Sequence, residues 1–242
     1  MLAADFCLND ESLIMLDDNF IQIAGVIDGA EAQMLEQCGV RYLGFPLRLA
    51  VHREDLTESE AAMIIKGLAP PVYGVLITYL DEANEVASFC HALGARIVQL
   101  HGDIDRDELG RLKTLDPSLT VIKSLVVGMH DDKTLEAMVG ELSPFVDAFI
   151  TDTFDPKTGA SGATGKTHDW RVSRRLVELS DRPVVLAGGL TPANVKRAIL
   201  EVRPAGVDSH TGVEDSTGRK SREKVQKFLS ESYEAFQLVK AK

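Results

Sequence analysis

Short apolar runs alternate along the chain with longer stretches in which apolar residues recur every three or four positions. The first pattern is typical of strands buried on both faces, and the second of amphipathic helices. The runs predict strands over 20–24, 40–45, 72–78, 95–100, 119–125, 146–151 and 184–187, and an eighth that starts near Pro204. A predicted helix follows each strand after a short connection. The pattern therefore indicates α/β class and a (β/α)8 TIM barrel with a parallel closed sheet.

Residues with capping propensity stand where several of these helices should begin. Thr57 with Glu60 forms a capping-box pattern before the second helix, and Asp81 precedes the third. Thr191 followed by Pro192 should open the seventh helix, since proline fits a first helical turn. These positions divide the chain into eight strand–helix units.

The length favours one domain. A chain of 242 residues is close to the roughly 250 residues of such a barrel. We assign residues 1–19 to an N-terminal extension and 20–242 to the barrel. An open Rossmann-type sheet is the structural alternative, but no GxGxxG follows the first strand.

Composition narrows the function classes. The net charge of −11 argues against a nucleic-acid surface, which would be basic. The first residues lack the basic and apolar regions of a signal peptide, and no run is long enough to span a membrane, so a cytoplasmic protein is expected. The chain has three cysteines, Cys7, Cys38 and Cys90. Their spacing does not fit a zinc site and an odd number cannot all pair in disulfides, so we expect free thiols.

Glycine and hydroxyl residues follow the last two strands. Gly188 and Gly189 end the seventh, and His210, Thr211 and Gly212 follow the eighth. Glycine lets backbone N–H groups approach a ligand, and paired loops of this kind bind anions, most often phosphate. In this fold the usual phosphate site lies after strands seven and eight. We therefore predict a phosphate cradle there.

Other polar residues should meet at the same face, because the functional groups of a TIM barrel follow the strand C-termini. Carboxylates, imidazoles and arginines that converge on a phosphate cradle suit proton transfer on a sugar phosphate, with one group as acid and another as base. The candidates are Ala24 and Gly25 after strand one, Arg48, His52 and Arg53 after strand two, His101, Gly102 and Asp103 after strand four, Asp152 after strand six, and Asp208 after strand eight.

Several segments resemble the phosphoribosylanthranilate isomerase family of tryptophan biosynthesis. They are VQLHGD at 98–103, DT at 152–153, SGATGKTHDW at 161–170, LAGGLTPAN at 186–194 and VDSHTGVE at 207–214. Their order and spacing agree with the family over about residues 20 to 235. The resemblance implies an Amadori rearrangement of a phosphoribosyl amine, without metal or organic cofactor.

The resemblance also implies a general acid and a general base. Family members carry the acid, an aspartate, at the position of Asp152, and the base, a cysteine, at the position of Ala24. Alanine has no proton to exchange, so weak or absent turnover of phosphoribosylanthranilate is expected. Gln22 and Ile27 also replace usual residues, a lysine and a threonine, which favours natural divergence over an engineered change at Ala24.

Other site residues follow from the same resemblance. Arg53 is the preferred match to the family's substrate-contacting arginine, and Arg48 is the alternative. Asp208 would orient the substrate's amino group or only hold its loop. His101 is a structural histidine or a catalytic one, and His210 stands where the family usually has serine.

Two further functions stay open. The chain could be a catalytically impaired phosphosugar-binding protein, or another phosphosugar isomerase, epimerase or lyase. A lyase often uses a Schiff-base lysine, for which Lys123 in strand five is the candidate. The expected partner is a small phosphorylated sugar, with neither nucleic acid nor membrane, and the expected state is a monomer or homodimer.

Overall fold

The barrel strands lie where the apolar runs predicted them. The structure is a computed structural model that describes residues 16, 19–49, 54–155, 160–161 and 167–241, with only the backbone at 154–155 and 160–161. The strands are β1 Phe20–Ala24, β2 Tyr42–Pro46, β3 Tyr73–Thr78, β4 Ile97–Leu100, β5 Thr120–Val127, β6 Ala148–Asp155, β7 Ala160–Ser161, β8 Val184–Leu186 and β9 Gly206–Ser209.

Helices alternate with these strands. They are α1 Gly29–Gln37, α2 Glu58–Gly67, α3 Ala83–Leu93, α4 Arg106–Leu115, α5 Asp132–Leu142, α6 Trp170–Leu179, α7 Val195–Val202 and α8 Arg222–Lys240, with 3-10 helices at Ser143–Phe145 and Thr211–Val213. The capping box of Thr57 and Glu60 is present at α2, as predicted. No helix among the described residues is long and apolar enough to cross a membrane.

The sheet is closed. Its strands follow the order β5-β4-β3-β2-β1-β9-β8-β6, and β5 also pairs with β6. All of these pairings are parallel, whereas β7 pairs only with the end of β6 and is antiparallel. The predicted eight-stranded TIM barrel is therefore confirmed, with β7 as a small added hairpin.

Two apolar layers lie on opposite faces of this sheet. Ile23 and Leu43 belong to the layer between strands and helices, while Ala24 belongs to a smaller cluster inside the barrel. Successive residues of a strand point to opposite faces, so Gln22 shares the inner face with Ala24. The strands are apolar on both sides because both sides are buried, which explains the continuous apolar runs.

Aromatic rings close the end of the barrel where the strands begin. The Phe20 and Tyr42 ring centroids are 4.2 Å apart, and Tyr73 stacks on Tyr42 at 6.0 Å. Leu16 of the N-terminal extension packs against this cluster, which we call the barrel floor. The floor leaves the opposite end of the barrel for polar chemistry.

Three predicted boundaries were wrong. β6 pairs with the long β5 as far as Thr153 and then with β7, so Asp152 lies within the strand, opposite Val126, and does not follow it. α7 begins at Val195, and the Thr191 hydroxyl instead accepts from the Ala193 N–H in a preceding turn.

The third concerns Asp81. The residue before α3 is Glu82, which makes no capping bond. The first N–H of α3, that of Ala83, donates to the Glu108 carboxylate of α4 at 2.6 Å. A carboxylate from a neighbouring helix thus satisfies the exposed N–H group of the helix start.

The floor yields a stability prediction. Phe20→Ala should lower the free energy of unfolding by about 3–5 kcal/mol, because it leaves a cavity in a fully buried cluster. Urea denaturation would measure this loss. Met63→Ala, at a side chain that is 70% exposed, is the control and should change the free energy by no more than about 0.5 kcal/mol. A loss below about 1 kcal/mol for Phe20→Ala would show that the floor contributes little.

Candidate active site

Polar side chains form a hydrogen-bonded chain across the barrel interior. Gln22 Nε2 of β1 donates to Gln99 Oε1 of β4 and to Asp208 Oδ1 of β9, both at 2.9 Å. Gln99 Nε2 lies 2.7 Å from His101 Nε2, and His101 Nδ1 lies 4.0 Å from Asp152 Oδ2. The chain therefore joins the two carboxyl groups, Asp152 and Asp208, through residues of four strands or strand ends.

Asp152 has the environment of a general acid. Only 6% of it is exposed, and burial raises its pKa to about 7, although the Thr153 N–H donates to Oδ1 at 2.7 Å and opposes this shift. A carboxyl group with this pKa is partly protonated at neutral pH, and so can both give and regain a proton.

His101 lies beside Asp152 without a hydrogen bond to it. Burial, with a smaller contribution from the charge of Lys123, lowers the pKa of His101 to about 3, so the ring is neutral at pH 7 and the contact with Asp152 is not an ion pair. An amide nitrogen only donates, so His101 Nε2 accepts from Gln99 and the ring proton is on Nδ1, which faces Asp152. His101 lies beside the acid and cannot readily accept a proton.

Asp208 is the second buried carboxyl group. Burial, followed by the charge of Asp152, raises its pKa to about 7, while the Gln22 hydrogen bond lowers it. Two buried polar atoms of the hydrogen-bonded chain have no hydrogen-bond partner among the described residues: Oε1 of Gln22, whose amide nitrogen donates to Asp208, and Nδ1 of His101, which lies 4.0 Å from Asp152. Such atoms are rare in folded proteins unless a ligand or water completes them, so they mark where a polar ligand would bind.

Ala24 lies at the inner face of β1, as predicted from the strand. Its methyl group packs in the inner apolar cluster, and a side chain on Gly44 of β2 would come within 3.1 Å of it. Position 24 offers no ionisable group. The imidazole of His210 lies nearby, against the backbone of Gly25.

The two predicted phosphate-binding loops lie side by side. Gly188 and Gly189 have φ values of +94° and +61°, which glycine adopts without strain. The loops are joined, because Ser209 Oγ donates to Leu190 O at 2.9 Å, and a side chain at Gly212 would come within 1.9 Å of the same oxygen. Because the two loops are in contact, backbone N–H groups of both could bind the same anion.

Asn194 fixes the first of these loops. Its amide donates to Gly189 O at 3.0 Å and accepts from the Thr191 N–H at 2.8 Å. The carbonyl of Gly189 therefore points toward α7, and the N–H groups of Gly188 and Gly189 donate to no other described residue. Thr211 and Gly212 lie in the 3-10 helix that follows His210.

Of the two arginine candidates for substrate binding, the structure describes Arg48 only. Arg48 donates to Glu58 of α2 at 2.8 Å, and its guanidinium lies 3.8 Å above the ring of Phe89 in α3. These contacts hold Arg48 in the outer helical layer, which favours Arg53 as the substrate-contacting residue. Arg53 lies outside the described residues, as does His52.

Lys123 is not placed for a Schiff base in the barrel interior. It pairs in register with Leu100, whose side chain belongs to the layer between strands and helices, so Lys123 faces that layer too. Its ammonium donates to the carbonyls of Ser124 at 3.2 Å and Leu100 at 3.4 Å. Cys38 and Cys90 are free thiols as predicted, while Cys7 lies outside the described residues.

Sequence reasoning missed two groups of the site. Gln99 lies two residues before His101 and therefore on the same face of its strand, a spacing that could have revealed it. The other group is a hydrogen-bonded series in which the His168 ring joins Thr153 Oγ1, at 2.9 Å, to Ser173 Oγ of α6. A side chain on Gly188 would come within 2.2 Å of Thr153 Oγ1, so this series supports the phosphate loop.

Comparisons with known proteins agree on one family. The sequence profile described as N-(5'phosphoribosyl)anthranilate (PRA) isomerase matches residues 22–231. The chain is 37% identical over 214 residues to N-(5'-phosphoribosyl)anthranilate isomerase 2 of Methanosarcina mazei, covering 86% of this chain and 92% of the relative.

Solved structures show the same fold. The phosphoribosyl anthranilate isomerase of Thermococcus kodakaraensis superposes with a TM-score of 0.71 at 29% identity, over 88% of this chain and 98% of that one. Another, solved with reduced 1-(o-carboxyphenylamino)-1-deoxyribulose 5-phosphate, gives 0.73 at 24% identity, over 89% and 99% of the two chains, a likeness of fold. With the profile match over most of its length, this chain belongs to the phosphoribosylanthranilate isomerase family.

Proposed function

We propose that the protein isomerises N-(5'-phosphoribosyl)anthranilate to the corresponding 1-deoxyribulose phosphate. The observation that carries the proposal is a pair of buried carboxyl groups with raised pKa, Asp152 in β6 and Asp208 in β9, on strands next to the paired loops that follow β8 and β9. Backbone N–H groups of Gly188, Gly189, His210, Thr211 and Gly212 would hold the phosphate, and the two side chains would work on the sugar.

Asp152 would act first. Protonated, it gives its proton to the ring oxygen of the ribose as the bond from that oxygen to C1 breaks, which leaves a protonated Schiff base between C1 and the anthranilate nitrogen. His101 Nδ1–H faces the Asp152 carboxylate that forms and stabilises it. Asp208 orients the anthranilate nitrogen, and Gln22 holds Asp208 in place.

Loss of a proton from C2 would complete the isomerisation. The electron pair of the C2–H bond forms the C1=C2 bond and neutralises the Schiff base, and the enol so formed becomes the ketone when C1 takes up a proton. This step needs a base within about 3 Å of the hydrogen. Ala24 supplies none.

The methyl group of Ala24 favours a second candidate, a phosphosugar-binding protein that has lost catalysis. Phosphate binding by backbone groups does not depend on the side chain at position 24. Turnover separates the two candidates, since both bind the reduced product analogue, reduced 1-(o-carboxyphenylamino)-1-deoxyribulose 5-phosphate. The protein should act as a monomer or homodimer, without a cofactor.

The acid gives the first functional prediction. Asp152→Asn should lower kcat by about 10²–10⁴-fold, because an amide cannot protonate the ring oxygen. The measurement is steady-state loss of substrate fluorescence, together with binding of the reduced product analogue, which should persist. Asp181→Asn, at an exposed aspartate before β8, is the matched control and should leave kcat unchanged. Full activity in Asp152→Asn would remove this residue from the chemistry.

The second functional prediction concerns the pH dependence of kcat/KM. Asp152 acts in its protonated form, so kcat/KM should fall as the pH rises through its pKa of about 7. A pH–rate profile from pH 5 to 9 would show this alkaline decrease. Asp208→Asn removes the other carboxyl group of raised pKa, and the decrease should remain in that variant. Its disappearance there would assign it to Asp208.

A further inference from the structure

The imidazole of His210 occupies the carboxyl end of β1. A Cβ on Gly25 would lie 2.1 Å from His210 Nε2 and 2.6 Å from the two ring carbons beside it, so the tip of the ring rests on the Gly25 backbone. Gly25 directly follows Ala24 and has a φ of +77°. Only a glycine at position 25 leaves room for this ring, and the ring is thereby fixed beside position 24.

Strand pairing brings the two positions together. β1 and β9 are neighbours, with Ile23 opposite Ser209, so the residues that follow them in each strand leave the sheet side by side. His210 is therefore next to the residue where other members of the family carry their base. About a quarter of its side chain, 26%, is exposed, so the ring is not sealed in the core.

A carboxylate faces the ring. His210 Nε2 lies 3.6 Å from Glu214 Oε1, and the same oxygen accepts from Lys220 Nζ at 2.7 Å. A carboxylate beside an imidazole orients it and stabilises the imidazolium that forms when it takes a proton.

We propose that His210 is the general base of this protein and takes the proton that the absent cysteine side chain would take. The inference rests on the proposed function. The C2–H bond of the protonated Schiff base breaks, its electron pair forms the C1=C2 bond, and the proton passes to an imidazole nitrogen. The imidazolium next to Glu214 then returns a proton to C1, and the C2 hydroxyl loses its proton as the C2=O bond forms. That proton restores the acid form of Asp152, directly or through solvent, so both groups end in their starting states.

The other groups of the described site fit this role less well. His101 lies beside Asp152, accepts from Gln99 and is hard to protonate because it is buried. Asp208 is held by Gln22, and the proposed function already assigns it to the anthranilate nitrogen. The expectation of weak or absent turnover, drawn from Ala24 alone, is replaced here by measurable turnover that depends on His210.

The first test replaces His210. His210→Ser restores the residue usual in the family, and His210→Asn keeps the size of the ring more closely; both retain the backbone N–H of the phosphate loop. Each should lower kcat by about 10²–10⁴-fold and change the affinity for the reduced product analogue by less than about threefold. His91→Asn, at an exposed histidine of α3, is the matched control and should keep wild-type kcat.

The second test restores a cysteine at position 24, where other members of the family carry their base. Ala24→Cys in the His210→Ser background should raise kcat at least about tenfold above His210→Ser alone. The acidic limb of its pH–rate profile should lie at higher pH than that of the wild type, because a thiol ordinarily loses its proton at higher pH than an imidazolium does. A purely structural role for His210 would produce neither the rescue nor this shift.

The outcomes distinguish the two proposals. Wild-type kcat in both His210 variants would overturn the role of His210 and leave the proposed function intact. Binding of the reduced product analogue by the wild type without any turnover would also overturn it, since no base would then be at work. Absence of both binding and turnover in the wild type would defeat the proposed function itself.

Discussion

Closure of the parallel sheet between β5 and β6 is the constraint on which the site depends. The pairing extends over six residue pairs and carries β6 past the point where its apolar run ends, so Asp152 is held within a strand opposite Val126. A carboxyl group in a strand of a closed barrel cannot turn to solvent. Burial then becomes its dominant electrostatic influence and raises its pKa to about 7. An open sheet would leave the same aspartate at an edge, exposed and ionised.

The same closure makes the barrel interior a place where polar groups must satisfy one another. Gln22, Gln99 and His101 form one hydrogen-bonded chain because Gln22 of β1 and Gln99 of β4 face the barrel interior, and His101 follows β4 on the same side as Gln99. The chain fixes the tautomer of His101 and the orientation of Asp208. Its two atoms without partners lie beside the carboxyl groups, where a substrate would complete the network.

Phosphate binding and proton transfer depend on different parts of the chain. The proposed phosphate loops would bind through their backbone, whose conformation Asn194, Ser209 and the glycines hold in place. Proton transfer would depend on side chains. Substitutions can remove a base at one strand end and supply another at the next, while the backbone of the loops stays unchanged. Because β1 pairs with β9, position 24 and His210 are neighbours, and a base at His210 would lie close to the position of the family's base.

The sequence by itself determined the order and type of the elements, because strands buried on both faces must be continuously apolar and the intervening helices amphipathic. It also placed Asp152, Asp208 and the glycine loops at one end of the barrel, since all parallel strands of a closed sheet end on the same side. The sequence did not predict element boundaries that depend on contacts with neighbouring elements. Examples are the extension of β6 along β5 and the contact of Glu108 with the Ala83 N–H at the start of α3.

Side-chain direction was decided only by the tertiary structure. The sequence treated Lys123, Arg48 and His210 alike, as polar residues near strand ends. Register turned Lys123 toward the helices, and Glu58 with Phe89 drew Arg48 into the outer layer. The bare backbone of Gly25 admitted the ring of His210 to the barrel mouth. Each outcome rests on contacts between residues far apart in the chain, which a linear pattern does not contain.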